Sequence, residues 1–227
     1  MTPAATASKA ISGRATGVLF FTIFGVIWMT NGLAAIDRLN PITLAAILAI
    51  AAALAIPAVR LLHLASSNAA PIQPPSADAT SDPQIERHPE TARQVVMDTE
   101  AAVKRTFHRV NAIQWAAILT AILLLDLLHK AEYLAPVITF IVGMHLFPLA
   151  TLFRYPAHNA TGTLLVLWAI ANTAILPPET MPSITALGTA TILLGSAAYT
   201  IYSAIRAART MTTGQPPAYS MTSTLSA

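Results

Sequence analysis

Six stretches of the chain, 16–36, 42–62, 112–130, 133–153, 159–177 and 183–205, are each 19 to 23 residues long and hold three charges between them: Arg60, Asp126 and Lys130. About 20 predominantly apolar residues in a helix cover the hydrocarbon core of a bilayer. Lipid offers nothing to hydrogen-bond an open backbone, so stretches of this kind cross as helices. A water-facing alternative fails on composition. Charged residues make up 10% of the chain and hydrophobic ones 55%, against roughly 25% charged in a soluble domain. The expectation is an all-α fold, a six-helix transmembrane bundle.

The few charges orient it. Eleven basic residues (Lys9, Arg14, Arg60, Arg87, Arg93, Lys104, Arg105, Arg109, Arg154, Arg206 and Arg209) fall on the side shared by both termini, and two (Arg38 and Lys130) on the other. Basic residues near membrane helices stay cytoplasmic, so both termini are expected inside. The same bias accounts for the net charge of +3. With no basic run interleaved with aromatics, nucleic acid is not an expected partner; the bilayer is. The run beginning at Ala15 exceeds a signal-peptide core and reads as an uncleaved first span.

The chain divides into a cytoplasmic N-terminus (1–15), helices 1 and 2 (16–62), a cytoplasmic segment (63–110), helices 3 to 6 (111–205) and a Thr-, Ser- and Pro-rich tail (206–227) expected to be disordered. The segment 63–110 holds 11 of the 23 charges. Its first part, 66–88, is a proline-bearing linker. From Pro89 a helix is expected, with Ala92, Val96, Val103, Phe107 and Val110 on one stripe. It reads as an amphipathic cytoplasmic helix along the inner interface before helix 3, or as a plain extension of helix 3. Alanine-rich helix 2, and helix 6 with Gly188, Gly195 and Ser196, are expected inside the bundle or at a dimer contact, because small residues let helices approach closely.

Polar residues within spans are the candidate site. Asp126 carries the largest insertion cost, about 2.5–3.5 kcal/mol at a helix centre. It reads either as half of an i, i+4 ion pair with Lys130 or as a protonatable group or cation ligand facing the interior. His145 falls near mid-helix, beside Pro148, which cannot donate to the carbonyl of Met144 and should kink helix 4. Asn31 and Asn172 lie in the outer halves of helices 1 and 5, each with a tryptophan one turn back (Trp28, Trp168). By depth alone, Asn31, Asp126, His145 and Asn172 could line one outward-facing cavity. Asp126 and His129 at i, i+3 are a weak metal signal, and no metal, haem or other cofactor is expected. The chain has no cysteine and no nucleophile motif, phosphate loop or zincin pattern, so an enzyme is not expected.

The run Val142-Gly143-Met144-His145-Leu146-Phe147-Pro148-Leu149-Ala150, ending Thr151-Leu152-Phe153, together with Phe107-His108-Arg109-Val110-Asn111 and Gln114-Trp115, resembles a pattern in bacterial multi-helix integral membrane proteins without an assigned function. It covers residues 107–160. The resemblance implies a bacterial plasma-membrane location and marks Asn111, Trp115, His145, Pro148 and Phe153 as motif positions. The leading functional expectation is a small binding or transport module for a proton or small polar solute, with its cavity around His145. The competing one is a non-catalytic structural or regulatory subunit, alone or in a homo-oligomer, that docks partners through 63–110.

Overall fold

The computed structural model describes residues 3–67, 89–153 and 155–212, with side chains for 13–63, 101–152 and 155–206. The expected linker 66–88 lies almost wholly outside the described residues, as does the tail beyond Thr212. Among the described residues the chain is all-helical. It forms α1 (Pro3–Ala35), α2 (Pro41–Ser67), α3 (Pro89–Leu127), α4 (Leu134–Phe153), α5 (Ala157–Ile175) and α6 (Met181–Thr212), with a short 3-10 turn, Ala131–Tyr133, ahead of α4.

Local chemistry sets these ends. α1 stops where Asp37 takes a left-handed conformation, φ 53°. The Arg38 N–H then reaches back to the Leu33 carbonyl (2.9 Å) and the Asp37 N–H to that of Ala34 (3.1 Å), the paired bonds of a Schellman stop. Asn40 starts α2: its side-chain oxygen accepts from the N–H groups of Ile42 and Thr43 (3.0 Å each). Thr43 Oγ1 in turn accepts from the Asn40 N–H at 2.9 Å, a reciprocal cap with Pro41 at the first helical position. The end of α3 repeats the α1 stop. His129 sits at φ 53°, and the N–H groups of His129 and Lys130 return to the carbonyls of Asp126 (3.0 Å) and Leu125 (2.8 Å). The third helix therefore ends at Leu127, three residues short of the span expected to reach 130.

At its other end α3 runs unbroken from Pro89 through 39 residues, about 58 Å at 1.5 Å per residue. The amphipathic segment is thus the N-terminal part of the same rod as span 3, with Val103 and Phe107 exposed. The plain extension of helix 3 describes this geometry better than a separate helix lying flat, which would need a bend before the span.

α6 is the hub. It packs most extensively on α1, and also on α5 and α4, while α2 leans mainly on α1 and α3 on α4. On the α1 side, Gly25 and Gly32, seven residues apart, receive Leu194 and Leu187. A Cβ on Gly25 would stand 2.7 Å from Leu194 Cγ, and one on Gly32 2.8 Å from Leu187 Cγ. Rising numbers on α1 meet falling numbers on α6, so the two run antiparallel. α4 and α5 come closer still: a Cβ on Gly143 would lie 2.9 Å from the Gly162 carbonyl oxygen, and one on Gly162 2.8 Å from that of Gly143. Lipid is as apolar as leucine, so close contact of this kind, rather than hydrophobic burial, holds such helices together. The buried core joins Val18 and Phe21 of α1, Leu146 of α4, Leu165 of α5 and Leu193 of α6. α2 lies outside it except at Ala58, and the interior place expected of helix 2 falls to α1 instead. α2 is small-faced, but α6 finds its notches in the glycines of α1.

Hydrogen bonds between elements also converge on α6. Thr139 of α4 meets Thr189 at 2.9 Å, Thr161 of α5 donates to Ser196 at 2.9 Å, and the Trp168 indole N–H donates to the Thr185 carbonyl at 3.2 Å. The surface is the reverse. Ile42, Leu123, Leu127, Leu128 and Ile175 are all more than 60% exposed, whereas Thr139, Thr185 and Thr189 are fully buried.

Among the described residues five stretches are long and apolar enough to cross a membrane: Gly13–Ala35, Pro41–His63, Ala101–Leu127, Ala131–Leu152 and Met181–Arg206. α5, 19 residues long, is the exception. His158, Thr161 and Asn172 lower its hydropathy, and all three are turned inward and buried.

Candidate functional site

His145 projects from α4 into the seam with α3 and is 7% exposed. From the other side α3 presents Gln114, 8% exposed, to the same seam. Together they border a groove of about 310 Å³, with Ile113 and Ala117 on one wall, Phe140 and Met144 on the other, and Pro148 at one end. Among the described residues that line it, Gln114 and His145 are the ones with hydrogen-bonding side chains. Ile113 and Met144 are exposed at its rim, so the groove opens sideways, where lipid would lie. Its volume is in the range that holds a small molecule.

The other expected site residues stand apart from it; none of Asn31, Asp126 and Asn172 lines this groove. Asn31 is exposed on α1 and its side-chain amide donates to the Ile27 carbonyl of its own helix (2.7 Å). Asp126 is exposed and is the penultimate residue of α3, at the end of a span. Lys130, beyond the helix stop, pairs with Glu132 at 3.5 Å. Asn172 is buried at 4% exposure. Among the described residues its side-chain nitrogen has no hydrogen-bond partner, and neither has the buried hydroxyl of Thr185. Of the motif positions, Pro148 lines the groove, Asn111 is half-buried and Trp115 exposed, and the Phe153 side chain lies outside the described residues. No group of three potential metal-ligating side chains occurs among the described residues.

A second concavity escaped the sequence reading. Where α4 turns into α5, Tyr155 is anchored by its hydroxyl donating to Thr200 Oγ1 at 3.2 Å. The Arg14 guanidinium lies 5.5 Å from the Tyr155 ring centroid. His158 meets that ring edge-on at 5.1 Å and the Phe21 ring at 5.3 Å. Beside this corner a cleft of about 790 Å³ opens between α5 and α6, reaching from Arg14 and Ser203 past Thr161 and Ser196 to Leu164 and Ile192. The available signal was the spacing of Tyr155, His158 and Thr161, three residues apart on the face that α5 turns inward.

Five candidate spans and an exterior rich in large apolar side chains, among the described residues, make this a multi-pass membrane protein. Compared with protein-family models, curated proteins and solved structures, the chain matches none.

Proposed function

We propose that the protein is a non-catalytic binding module of the plasma membrane. Its site is the α3–α4 groove, and its ligand is an apolar, membrane-dissolved molecule carrying one hydrogen-bonding group. The observation that carries this reading is the groove's lining: apolar walls open to the lipid side, bordered by the two polar side chains Gln114 and His145. Sites for small ligands have this composition, apolar contact for affinity and a few polar groups for orientation. A proton or small polar solute, the other ligand class His145 would suit, would draw on further polar groups. Asn31 and Asp126 on the outer surface and Asn172 in the interior leave the groove without them. Docking through 63–110 would rest chiefly on side chains outside the described residues.

In this reading α5 crosses the membrane as well. It starts at the α4 end beside Arg14 and finishes at the start of α6, so it traverses the same thickness as its neighbours, and its His158, Thr161 and Asn172 face protein. The end bearing Arg14, Arg60, Lys104, Arg105, Arg109 and Arg206 is cytoplasmic. All four acids among the described side chains, Asp37, Asp126, Glu132 and Glu179, sit at the opposite end.

The test is photolabelling in liposomes with a diazirine-bearing long-chain alcohol. Label should appear on peptides covering 110–117 and 140–148. The double variant Gln114→Leu/His145→Leu should reduce it about tenfold, the equivalent of two modest buried hydrogen bonds, and Ala117→Trp should block it sterically. Unchanged labelling in both variants refutes the site. Proton flux in wild-type proteoliposomes that is lost in both His145→Ala and Asp126→Asn would replace binding by transport.

A further inference from the structure

The cleft between α5 and α6 is graded along the membrane normal. At the cytoplasmic end it is bounded by Arg14, Tyr155 and Ser203, midway by Thr161 and Ser196, and deeper by Leu164 and Ile192. From Ala157 to Leu164 the wall rises about 10 Å. That is the profile of an amphiphile whose charged head sits at the interface and whose chain descends beside apolar side chains.

Arg14 supplies the sign of the head. It is half-buried, and its stacking on the Tyr155 ring leaves the edge of the guanidinium, with its N–H donors, to face another group. Arginine in this state favours planar two-point contact with phosphate or carboxylate. Among the described side chains no carboxylate pairs with it, and the four acids among them, Asp37, Asp126, Glu132 and Glu179, lie at the far end of the molecule. The first turn of α5, whose Pro156 cap gives it no side-chain hydrogen bond, borders the same cleft through Pro156 and Ala157. It adds the partial positive charge of a helix start. At Gly195 a Cβ would meet nothing within 4 Å, so the cleft wall is open there.

We propose that this cleft binds one anionic phospholipid of the cytoplasmic leaflet, its phosphate against Arg14 and the start of α5, its hydroxyl-bearing head on the water side near Ser203, its glycerol ester groups beside Thr161 and Ser196, and an acyl chain along Leu164 and Ile192. The neighbouring basic residues raise the local concentration of anionic lipid, since each attracts the negative surface of that leaflet. The site is separate from the α3–α4 groove and stands or falls independently of it.

Native mass spectrometry of the detergent-solubilised protein, with phosphatidylglycerol or phosphatidylcholine of matched chains added back, tests it. Phosphatidylglycerol should be retained in preference to phosphatidylcholine. Arg14→Gln should weaken its retention about tenfold, the loss of one hydrogen bond to a charged group, and leave phosphatidylcholine unaffected. Arg14→Lys should restore part of the preference. Gly195→Phe, which fills the cleft and leaves Arg14 in place, should lower retention of both lipids. Arg60→Gln should change nothing. The proposal is overturned if Arg14→Gln keeps the preference, if Arg60→Gln removes it equally, or if millimolar inorganic phosphate displaces the lipid, which would make the ligand a soluble phosphate.

Discussion

The contact of α4 with α5 offers the sharpest test of how this bundle is held. Replacing Gly143 by alanine puts a methyl group 2.9 Å from the Gly162 carbonyl oxygen, 2.9 Å from Val166 Cγ2 and 3.1 Å from Leu165 Cβ. Val166 can turn, but a carbonyl of a hydrogen-bonded helix and a Cβ cannot, so the helices must separate by roughly 0.5 Å to reach normal contact. Overpacking of this kind costs about 1–3 kcal/mol. Alanine returns about 1 kcal/mol through its higher helix propensity. Because the obstacle is backbone, the cost belongs at the upper end, and the net expectation is a loss of about 1–2 kcal/mol. Gly162→Ala, with its methyl 2.8 Å from the Gly143 oxygen and 3.2 Å from Leu146 Cβ, should lose a similar amount. The double variant should lose less than the sum, since the first methyl has already parted the helices. Gly195→Ala is the control: with nothing within 4 Å, it should gain up to about 1 kcal/mol from propensity alone. Reversible unfolding in mixed micelles by SDS titration, followed by circular dichroism, reads all four. If Gly143→Ala and Gly162→Ala stabilise as Gly195→Ala does, the two backbones do not meet and the account of the packing is wrong.

Asp37 and His129 both occupy left-handed backbone at φ 53°, so Asp37→Gly and His129→Gly should each stabilise by about 1 kcal/mol in the same titration. A double-mutant cycle of Thr139→Val and Thr189→Val should return a coupling of about 0.6 kcal/mol, the usual size for a hydrogen bond between membrane helices. The chain has no native cysteine, so single-cysteine variants report sidedness directly. In intact cells a membrane-impermeant maleimide should label Asp37→Cys and Glu179→Cys and spare Arg206→Cys.

Extents and class were legible in the sequence because they depend on composition over about 20 residues. The start of α2 at Asn40-Pro41 was equally legible, being written in the chemistry of a few adjacent side chains. Rotation about each helix axis was not. Asn31 and Asn172 have similar depth and the same tryptophan one turn back, yet one is exposed and the other buried, because α1 turns its Gly25–Gly32 face, not its Asn31 face, toward α6. The end of helix 3 was read three residues late because the stop after Leu127 depends on His129 taking a conformation that glycine would normally signal. Arg14 was read only as a topological charge. Its place over Tyr155 needs α1, the α4–α5 turn and α6 together, a contact between residues 141 positions apart in sequence.

The two cavities follow from one feature of the architecture. α6 carries the inter-element hydrogen bonds and the leucines that fill the α1 notches, so α1, α4, α5 and α6 form a close-packed centre. α3 is fastened mainly to α4, and 6% of the most apolar part of its span is buried. A helix held on one side by apolar contact, in a solvent as apolar as itself, is the element whose displacement costs least. The groove that contains His145 lies along that seam, where α3 can yield to admit a molecule from the lipid. The Arg14 cleft is instead bounded by two helices of the fixed centre, and its shape is pre-formed. A pre-formed site suits a constant occupant such as a structural lipid, whereas a site along a loose seam suits a ligand that comes and goes. Lipid retained at Arg14 through purification, together with readily exchanged ligand at His145, is the pattern this architecture requires.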